Sequence, residues 1–203
     1  KAGHNPHSAE ILPDGNIVCA ASTGNCLTVF KTDTLTFPGN VIQHTFHSPF
    51  SHNAVWDQKR NLLWTGEMHQ MRSWWYNFDC ENPQLTPVDS LAFDDEEGHD
   101  LFPVLGEDAL YFSSAKKMWI YHISENRLEQ VKTKYQGVKS VSLDEKGGVP
   151  VVSVPKEQWW TDEIIDLNGK RIFYREGLKI YKARWVVPNL FSYPVHDEMK
   201  ICR

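Results

Sequence analysis

The stretch His7-Ser-Ala-Glu-Ile-Leu-Pro-Asp-Gly-Asn-Ile-Val-Cys-Ala-Ala-Ser22 decides the fold, because its pattern returns twice further along the chain. The two similar stretches are His52-Asn-Ala-Val-Trp-Asp-Gln-Lys-Arg-Asn-Leu-Leu-Trp-Thr-Gly66 and His99-Asp-Leu-Phe-Pro-Val-Leu-Gly-Glu-Asp-Ala-Leu-Tyr-Phe-Ser-Ser114. The leading histidines lie 45 and then 47 residues apart (52 − 7 and 99 − 52). Periods of this size are typical of propellers and solenoids. The sequence therefore predicts a repeat protein in which three imidazoles occupy equivalent positions.

Each repeat divides into short strands separated by turn residues. In the first repeat, strands are predicted over 8–12, 17–22, 27–31 and 40–45, with a tight turn at Pro13-Asp14-Gly15-Asn16. Four antiparallel strands in roughly 45 residues is the size of one propeller blade. No segment shows a sustained helical apolar period, so little helix is expected. The predicted repeats within a single domain, 1–203, are 1–47, 48–94, 95–133, 134–175 and a partial fifth, 176–203, which contains a strand over 178–187.

The predicted fold class is all-β, a β-propeller of four-stranded antiparallel blades with four to five blades present. A β-sandwich and an orthogonal barrel are the alternatives, but a sandwich has no reason to repeat at this interval. Four blades and part of a fifth lie at the lower limit for a closed ring. The chain is therefore either a small propeller or the C-terminal part of a larger one. We favour the second, because Lys1-Ala-Gly-His4 enters a blade with no lead-in strand.

Composition narrows the classes of partner. The 203 residues are 41% hydrophobic and 23% charged, as in ordinary globular proteins. A formal net charge of -5 argues against nucleic acid, which requires a basic stripe. No run approaches the roughly 18 apolar residues of a transmembrane helix. The eight tryptophans suit both β-sheet packing and carbohydrate-facing surfaces.

The three leading histidines are the first candidate site. His7, His52 and His99 each stand at the start of a predicted innermost strand, so we expect them to ring one mouth of the channel. Three imidazoles could hold a divalent metal of the zinc, manganese or iron type, or act as acid, base or hydrogen-bond donors to a polar ligand. A structural role, in which each imidazole binds a neighbouring blade, is the alternative. The fourth repeat has Val138 and Lys139 at this place, so the ring is broken there.

Loops between second and third strands add ligand-binding candidates on the same face. In the second repeat, Glu67 and His69 offer a carboxylate and an imidazole. In the fourth, Glu157 precedes the adjacent Trp159 and Trp160 in a polar loop. Adjacent indoles cannot both alternate into one core, so one ring is expected to stay accessible. An exposed indole beside carboxylates is typical of sugar-binding sites, whereas packing of both rings between blades is the alternative.

Four motifs are distributed along the chain: Gly3-His-Asn-Pro-His-Ser-Ala-Glu-Ile-Leu-Pro-Asp-Gly-Asn16, His52-Asn-Ala-Val-Trp-Asp57, Glu157-Gln-Trp-Trp-Thr-Asp162 and Lys179-Ile-Tyr-Lys-Ala-Arg-Trp185. Together they resemble a family of uncharacterised secreted β-propeller proteins from Bacteroidetes. The resemblance covers nearly the whole chain. It implies further N-terminal blades in full members and an extracytoplasmic location, periplasmic or at the surface, but no established activity. The His-x-x-x-x-Leu-Pro-Asp-Gly-Asn phrase by itself also resembles blades of arylsulfotransferases and lactonase-like propellers.

Two functions follow from these patterns. The first is a non-catalytic binding or scaffold propeller that recognises a glycan or protein ligand at the channel mouth. The second is a carbohydrate-active hydrolase or lyase whose histidine ring holds a metal or serves as acid and base. The chain contains no Gly-x-Ser-x-Gly, phosphate-cradling glycine loop or His-Glu-x-x-His motif. We favour the binding function, since missing blades would leave a site made by the whole ring incomplete.

Overall fold

A computed structural model describes residues 5–36, 39–79 and 81–194 of the chain. These residues form four antiparallel sheets of four strands each, with the strands in sequential order within every sheet. They contain a short 3-10 helix, Thr32–Thr34, but no helix long and apolar enough to cross a membrane. The prediction of an all-β propeller built from four-stranded blades is confirmed. The strands are β1 (Pro6–Ile11), β2 (Ile17–Ala21), β3 (Cys26–Phe30), β4 (Gln43–His47), β5 (Val55–Asp57), β6 (Leu62–Gly66), β7 (Gln70–Tyr76), β8 (Leu85–Ala92), β9 (Asp100–Pro103), β10 (Ala109–Ser113), β11 (Met118–His122), β12 (Arg127–Gln130), β13 (Ser140–Ser142), β14 (Val151–Ser153), β15 (Glu163–Asp166) and β16 (Arg171–Tyr174).

The chain divides into two compact units. Unit 1 comprises Lys1–Ala92 and Leu190–Arg203, and unit 2 comprises Phe93–Asn189. Unit 1 thus contains the sheets β1–β4 and β5–β8, and unit 2 contains the sheets β9–β12 and β13–β16. Each unit has its own apolar core, and large side chains fill both. The unit 1 core includes Trp56, Leu63, Trp74 and Tyr76, and the unit 2 core includes Val104, Tyr111, Met118, Val141 and Val152.

The turn after β1 connects the two blades of unit 1. Gly15 has a φ of 84°, which a glycine adopts without steric cost, and this closes the tight turn. The buried Asp14 carboxylate accepts hydrogen bonds from the Asn16 backbone N–H at 3.1 Å and from the Tyr76 hydroxyl at 2.5 Å. Asn16 Nδ2 also donates to the Tyr76 hydroxyl oxygen at 3.0 Å. The Pro-Asp-Gly-Asn phrase therefore joins β1 to β7 in addition to forming the predicted turn.

The last strand of the second blade begins earlier than its sequence indicates. The residues after Pro87 predict a strand from 88 to 93, whereas β8 runs Leu85–Ala92 and includes the proline. Pro87 pairs with Trp74 beside an irregularity in the register between Ser73 and Trp74. β8 is one of the two edge strands of its sheet. A proline is tolerated there because an edge strand has no second neighbour that requires its N–H.

The predicted fifth blade does not form among the described residues. Residues 176–194 contain no strand, and Ile180 makes only an isolated bridge with Thr161. Side-chain hydroxyls of the last blade bind this segment in place of a strand ladder. Ser153 Oγ donates to the Tyr181 carbonyl at 2.8 Å, while Ser140 Oγ and Ser142 Oγ accept from the N–H groups of residues 183 and 185, each at 3.0 Å. These hydroxyls satisfy three backbone groups of the segment that a neighbouring strand would otherwise pair.

Candidate functional site

The first two repeat histidines come together in unit 1. The ring centroids of His7 and His52 lie 4.1 Å apart with their planes tilted by 34°. His52 Nδ1 lies 2.9 Å from the carbonyl oxygen of Phe50, and since a carbonyl can only accept, Nδ1 carries the hydrogen. Phe50 itself has a φ of 57° and packs its ring 4.4 Å from that of His52. Within unit 1, the structure therefore brings two of the three repeat histidines into ring contact.

Glu67, a predicted ligand-binding carboxylate, is buried in the loop between β6 and β7. Its Oε1 accepts from Ser48 Oγ at 2.8 Å and Arg72 Nε at 3.0 Å, and its Oε2 accepts from Gln70 Nε2 at 2.7 Å. These three donors order the loop around the carboxylate. His69, two residues further along, is exposed at the surface. The structure thus separates the two candidates of this loop, with Glu67 inside and His69 outside.

The third repeat histidine meets a lysine in unit 2. His99 is buried, and its Nε2 lies 2.6 Å from Lys139 Nζ and 3.3 Å from Glu97 Oε2. Lys139 precedes β13, at the position in the fourth repeat that corresponds to the histidines. The residue that breaks the histidine series therefore supplies an amine to the imidazole of the preceding blade. The sequence did not lead us to assign Lys139 to the site. Its alignment with the three histidines was the feature that could have identified it.

Burial sets the protonation of this pair. Burial lowers the pKa of Lys139 to about 8, while the charge of Glu97 raises it and that of Lys182 lowers it further. At pH 7 Lys139 is therefore mostly an ammonium group, which donates to His99 Nε2. A neutral His99 that accepts at Nε2 must carry its hydrogen on Nδ1. The ammonium loses its proton just above neutral pH, where an ordinary lysine stays charged.

Asp100 anchors the residues behind the His99–Lys139 pair. Its side chain is 0% exposed. Oδ1 accepts from Lys182 Nζ at 3.1 Å and from Arg184 Nη2 at 2.6 Å, and Oδ2 accepts from the Val141 N–H at 2.9 Å. Burial opposes ionisation, but the charges of Arg184 and Lys182 outweigh it and hold the pKa of Asp100 below its usual range. Lys182 Nζ also donates to the His99 carbonyl at 3.0 Å, which positions it beside the imidazole's backbone.

Trp159 lies at the tip of a hairpin in unit 2. Glu157 and Trp160 pair across this turn, with the Trp160 N–H donating to the Glu157 carbonyl at 3.0 Å. Gln158 between them has a φ of 48°, a region that a residue with a side chain seldom adopts. The Trp159 side chain is 49% exposed, whereas Trp160 is half-buried beneath Lys179 Nζ, 5.3 Å from its ring centroid. The prediction that one indole of the pair stays accessible is confirmed, and Trp159 is that indole.

Tyr181 connects the exposed indole to the charged residues. Its ring lies edge-on to Trp159, with centroids 5.9 Å apart and planes at 76°. Lys182 Nζ lies 5.8 Å from the Tyr181 ring centroid. Burial raises the pKa of Tyr181, as do the charges of Asp100 and Glu97, so its hydroxyl stays protonated near neutral pH. We call Trp159, Tyr181, Lys182, His99 and Lys139 the unit 2 cluster.

Metal binding is not supported by the positions of the described side chains. Among residues 5–36, 39–79 and 81–194, no group of three His, Cys, Asp or Glu side chains could hold a metal ion. A metal site of His7, His52 and His99 therefore stays a prediction from the sequence. Glu157, the other predicted carboxylate, is exposed next to the Trp159 tip. The unit 2 cluster is consequently the best-formed candidate, and it offers one open aromatic face and fixed polar groups.

Comparison with known proteins identifies the fold but no activity. No curated protein matches the chain. Similar solved structures include hydrazine synthase of Kuenenia stuttgartiensis, with 11% identity and a TM-score of 0.59. The match covers 89% of this chain and 51% of the hydrazine synthase chain. A functionally unknown protein of Desulfotomaculum acetoxidans has 14% identity and a TM-score of 0.57, and the match covers 86% of this chain and 58% of that chain. A protein of Lactobacillus plantarum has 14% identity and a TM-score of 0.61, and the match covers 89% of this chain and 60% of that chain. The chain thus spans between half and three fifths of these structures, and identities this low show a shared fold alone.

The family is shown by a match along the entire chain. The model of a family of unknown function, DUF6528, matches residues 1–203. The expectation of an uncharacterised family is thereby confirmed, whereas secretion and an origin in Bacteroidetes remain predictions. The chain belongs to the DUF6528 family.

Proposed function

We propose that this chain is a non-catalytic binding propeller whose unit 2 recognises a glycan on the unit 2 cluster. The observation that carries the proposal is Trp159, whose indole is 49% exposed at a hairpin tip and edge-on to Tyr181. The positive φ of Gln158 holds this tip in a strained conformation, and strain of this kind accumulates at ligand sites. An indole that the hairpin keeps exposed to solvent offers a platform, a surface on which the apolar face of a sugar ring can stack.

Polar groups beside the platform match the hydroxyls of a sugar. The Tyr181 hydroxyl is protonated near neutral pH, as a tyrosine ordinarily is, and burial raises its pKa further. The exposed Glu157 carboxylate is an acceptor on the same hairpin as Trp159. Lys139 adds an amine whose position is determined by its 2.6 Å contact with His99. An aromatic surface with a few fixed donors and acceptors is the usual composition of a small-ligand site.

A glycan array followed by calorimetric titration tests this function. We expect Trp159→Ala to weaken binding of the selected glycan at least tenfold, since the stacking surface is removed. Trp75→Ala is the matched control, because Trp75 is 48% exposed but lies on β7 in unit 1. Equal losses in both variants, or binding of a protein partner in the absence of any glycan, would contradict the proposal.

Catalysis on a carbohydrate is the second candidate. It is favoured by the contact between Lys139 and His99, because an amine with a pKa of about 8 is suited to transfer protons near neutral pH. Incubating the protein with a panel of polysaccharides and measuring reducing ends and unsaturated products separates the two functions. Turnover that is lost in Lys139→Met would establish the hydrolase or lyase, whereas binding without product formation supports the binding propeller.

An extracytoplasmic location is part of the proposal, since it follows from the resemblance to secreted propellers and suits a glycan ligand. Fractionation of the producing cells, with an antibody against the chain, measures this directly. Recovery of the protein in the cytoplasmic fraction would contradict the location without affecting the binding site.

A further inference from the structure

Lys139 carries a charge that no carboxylate of the described residues neutralises by direct contact. Its Nζ contacts His99 Nε2 at 2.6 Å, and a neutral imidazole is an acceptor without charge. Glu97 Oε2 is placed against the same imidazole nitrogen at 3.3 Å and acts on Lys139 through its charge. By contrast, Lys182 and Arg184 share the buried Asp100 carboxylate. A half-buried ammonium group without its own ion pair costs free energy, which a bound anion would recover.

Five charged groups are connected by contacts through His99 and Asp100, and their formal charges sum to one positive charge. Three cations, Lys139, Lys182 and Arg184, are opposed by two carboxylates, Asp100 and Glu97 (3 − 2 = +1). The chain as a whole carries a formal charge of -5, so this positive group stands out in an acidic protein. Burial and the charge of Lys182 both disfavour the charged form of Lys139. A ligand with a negative charge would oppose both effects. The cluster therefore suits an anionic ligand better than a neutral one.

We propose that the ligand of the unit 2 cluster is an acidic sugar, whose carboxylate or sulfate ester binds Lys139 while its ring stacks on Trp159. This inference rests on the proposed glycan-binding function, because it assigns a ligand class to the same cluster. Tyr181 and Lys182, adjacent in the chain, connect the platform to the amine: the Tyr181 ring contacts Trp159, and Lys182 Nζ donates to the His99 carbonyl. An ammonium group and an anionic oxygen form a charge-assisted hydrogen bond, which is about twice as strong as a neutral one.

A glycan array that contains neutral, uronate-containing and sulfated members tests the ligand class. We expect the bound members to be acidic. For the tightest binder, Lys139→Met should lower the affinity at least tenfold, since methionine retains most of the stem and removes the charge. Lys170→Met is the matched control, because Lys170 is exposed elsewhere in unit 2. The affinity of the acidic glycan should also fall with added sodium chloride, because salt screens the ion pair.

The outcomes separate this inference from the function on which it rests. Binding confined to neutral glycans overturns the acidic-sugar assignment and leaves the glycan-binding function intact. An array without any binding overturns both. Preference for uronates or for sulfated members supports the inference and identifies the anionic group.

A measurement on the unaltered protein covers the case in which Lys139→Met does not fold. Acetic anhydride acylates uncharged amines, so Lys139 should react readily near pH 8, and peptide mass spectrometry follows each lysine separately. We expect the acidic glycan to slow the acylation of Lys139 severalfold and to leave that of Lys170 unchanged. Equal rates at Lys139 with and without the glycan would overturn the inference.

Discussion

Replacing Asp100 with asparagine should destabilise unit 2 markedly. Asp100 is 0% exposed and accepts hydrogen bonds from Lys182, Arg184 and the Val141 N–H. The asparagine side chain would retain one acceptor oxygen, but its amide group would face an ammonium or a guanidinium donor. Two cations would then share a buried site without a counter-charge. The same contacts hold the segment around 182–184 against β9, so its position should loosen as well.

The magnitude follows from the burial of the three partners. Removing one member of a buried ion pair costs about 3–5 kcal/mol. The side chains of Lys182 and Arg184 are 17% and 28% exposed, so water partly solvates them once the carboxylate is neutral. We therefore expect the lower end of the range, about 3 kcal/mol of unfolding free energy at pH 7.

The effect of Asp100→Asn should depend on pH with a defined sign. The pKa of Asp100 in the folded protein is held below its usual value of 3.8, so the unfolded chain binds the proton first as pH falls. The stabilisation by the ionised carboxylate is complete above that usual value and is lost as pH falls through the folded pKa. At pH 7 the ionised Asp100 therefore gives the wild type a higher unfolding free energy than the variant. This difference in unfolding free energy should shrink progressively below pH 4.

Urea unfolding followed by circular dichroism measures this difference at pH 7 and at lower pH. Asp144→Asn is the control, because an asparagine oxygen can still accept from the Lys146 N–H in that turn, a bond of 3.1 Å in the structure. The control should change the unfolding free energy by less than about 0.5 kcal/mol. A loss below about 1 kcal/mol for Asp100→Asn at pH 7, or one that is constant down to pH 3, would refute the reasoning.

Two further groups give pH-dependent predictions. Because the pKa of Lys139 is about 8 beside His99, Glu97 and Lys182, the affinity for an acidic glycan should be constant from pH 6 to 7.5 and fall about tenfold for each pH unit above 8. Titrations at several pH values measure it, and a flat profile up to pH 10 would contradict the assignment of Lys139. Burial raises the pKa of Glu10 to about 7, against the opposing hydrogen bond from Tyr193, so the folded protein binds its proton more tightly than the unfolded chain between pH 4.5 and 7. Glu10→Gln should therefore raise the unfolding free energy at pH 8 by at most about 3 kcal/mol and leave it unchanged at pH 4. Thermal unfolding of wild type and variant at both pH values measures this effect. An equal effect at pH 8 and pH 4 would contradict the prediction.

The strands could be predicted well where a turn and an alternating pattern occur in the same short stretch. The sequence predicts strands over 109–114, 118–123 and 171–174. The third matches β16, Arg171–Tyr174, and β10 and β11 each end within one residue of the other two. Each of these hairpins pairs residues that are near neighbours in the chain. Strand 178–187 was predicted wrongly, because its apolar residues resemble a strand while its actual partners are serine hydroxyls about 40 residues earlier. Local patterns contain no information on such partners.

The sequence by itself determined the repeat and the four-stranded blades, and it aligned Lys139 with three histidines, because blade periodicity and turn chemistry depend on neighbouring residues. The tertiary structure alone decided which of these polar groups are available to a ligand. It buries Glu67 among three donors, leaves Trp159 exposed and places Lys139 against His99, 40 residues away. It also pairs Asp100 with Arg184, 84 residues away. Burial and charge pairing depend on such distant residues, and they determine the protonation and the accessibility on which binding chemistry depends.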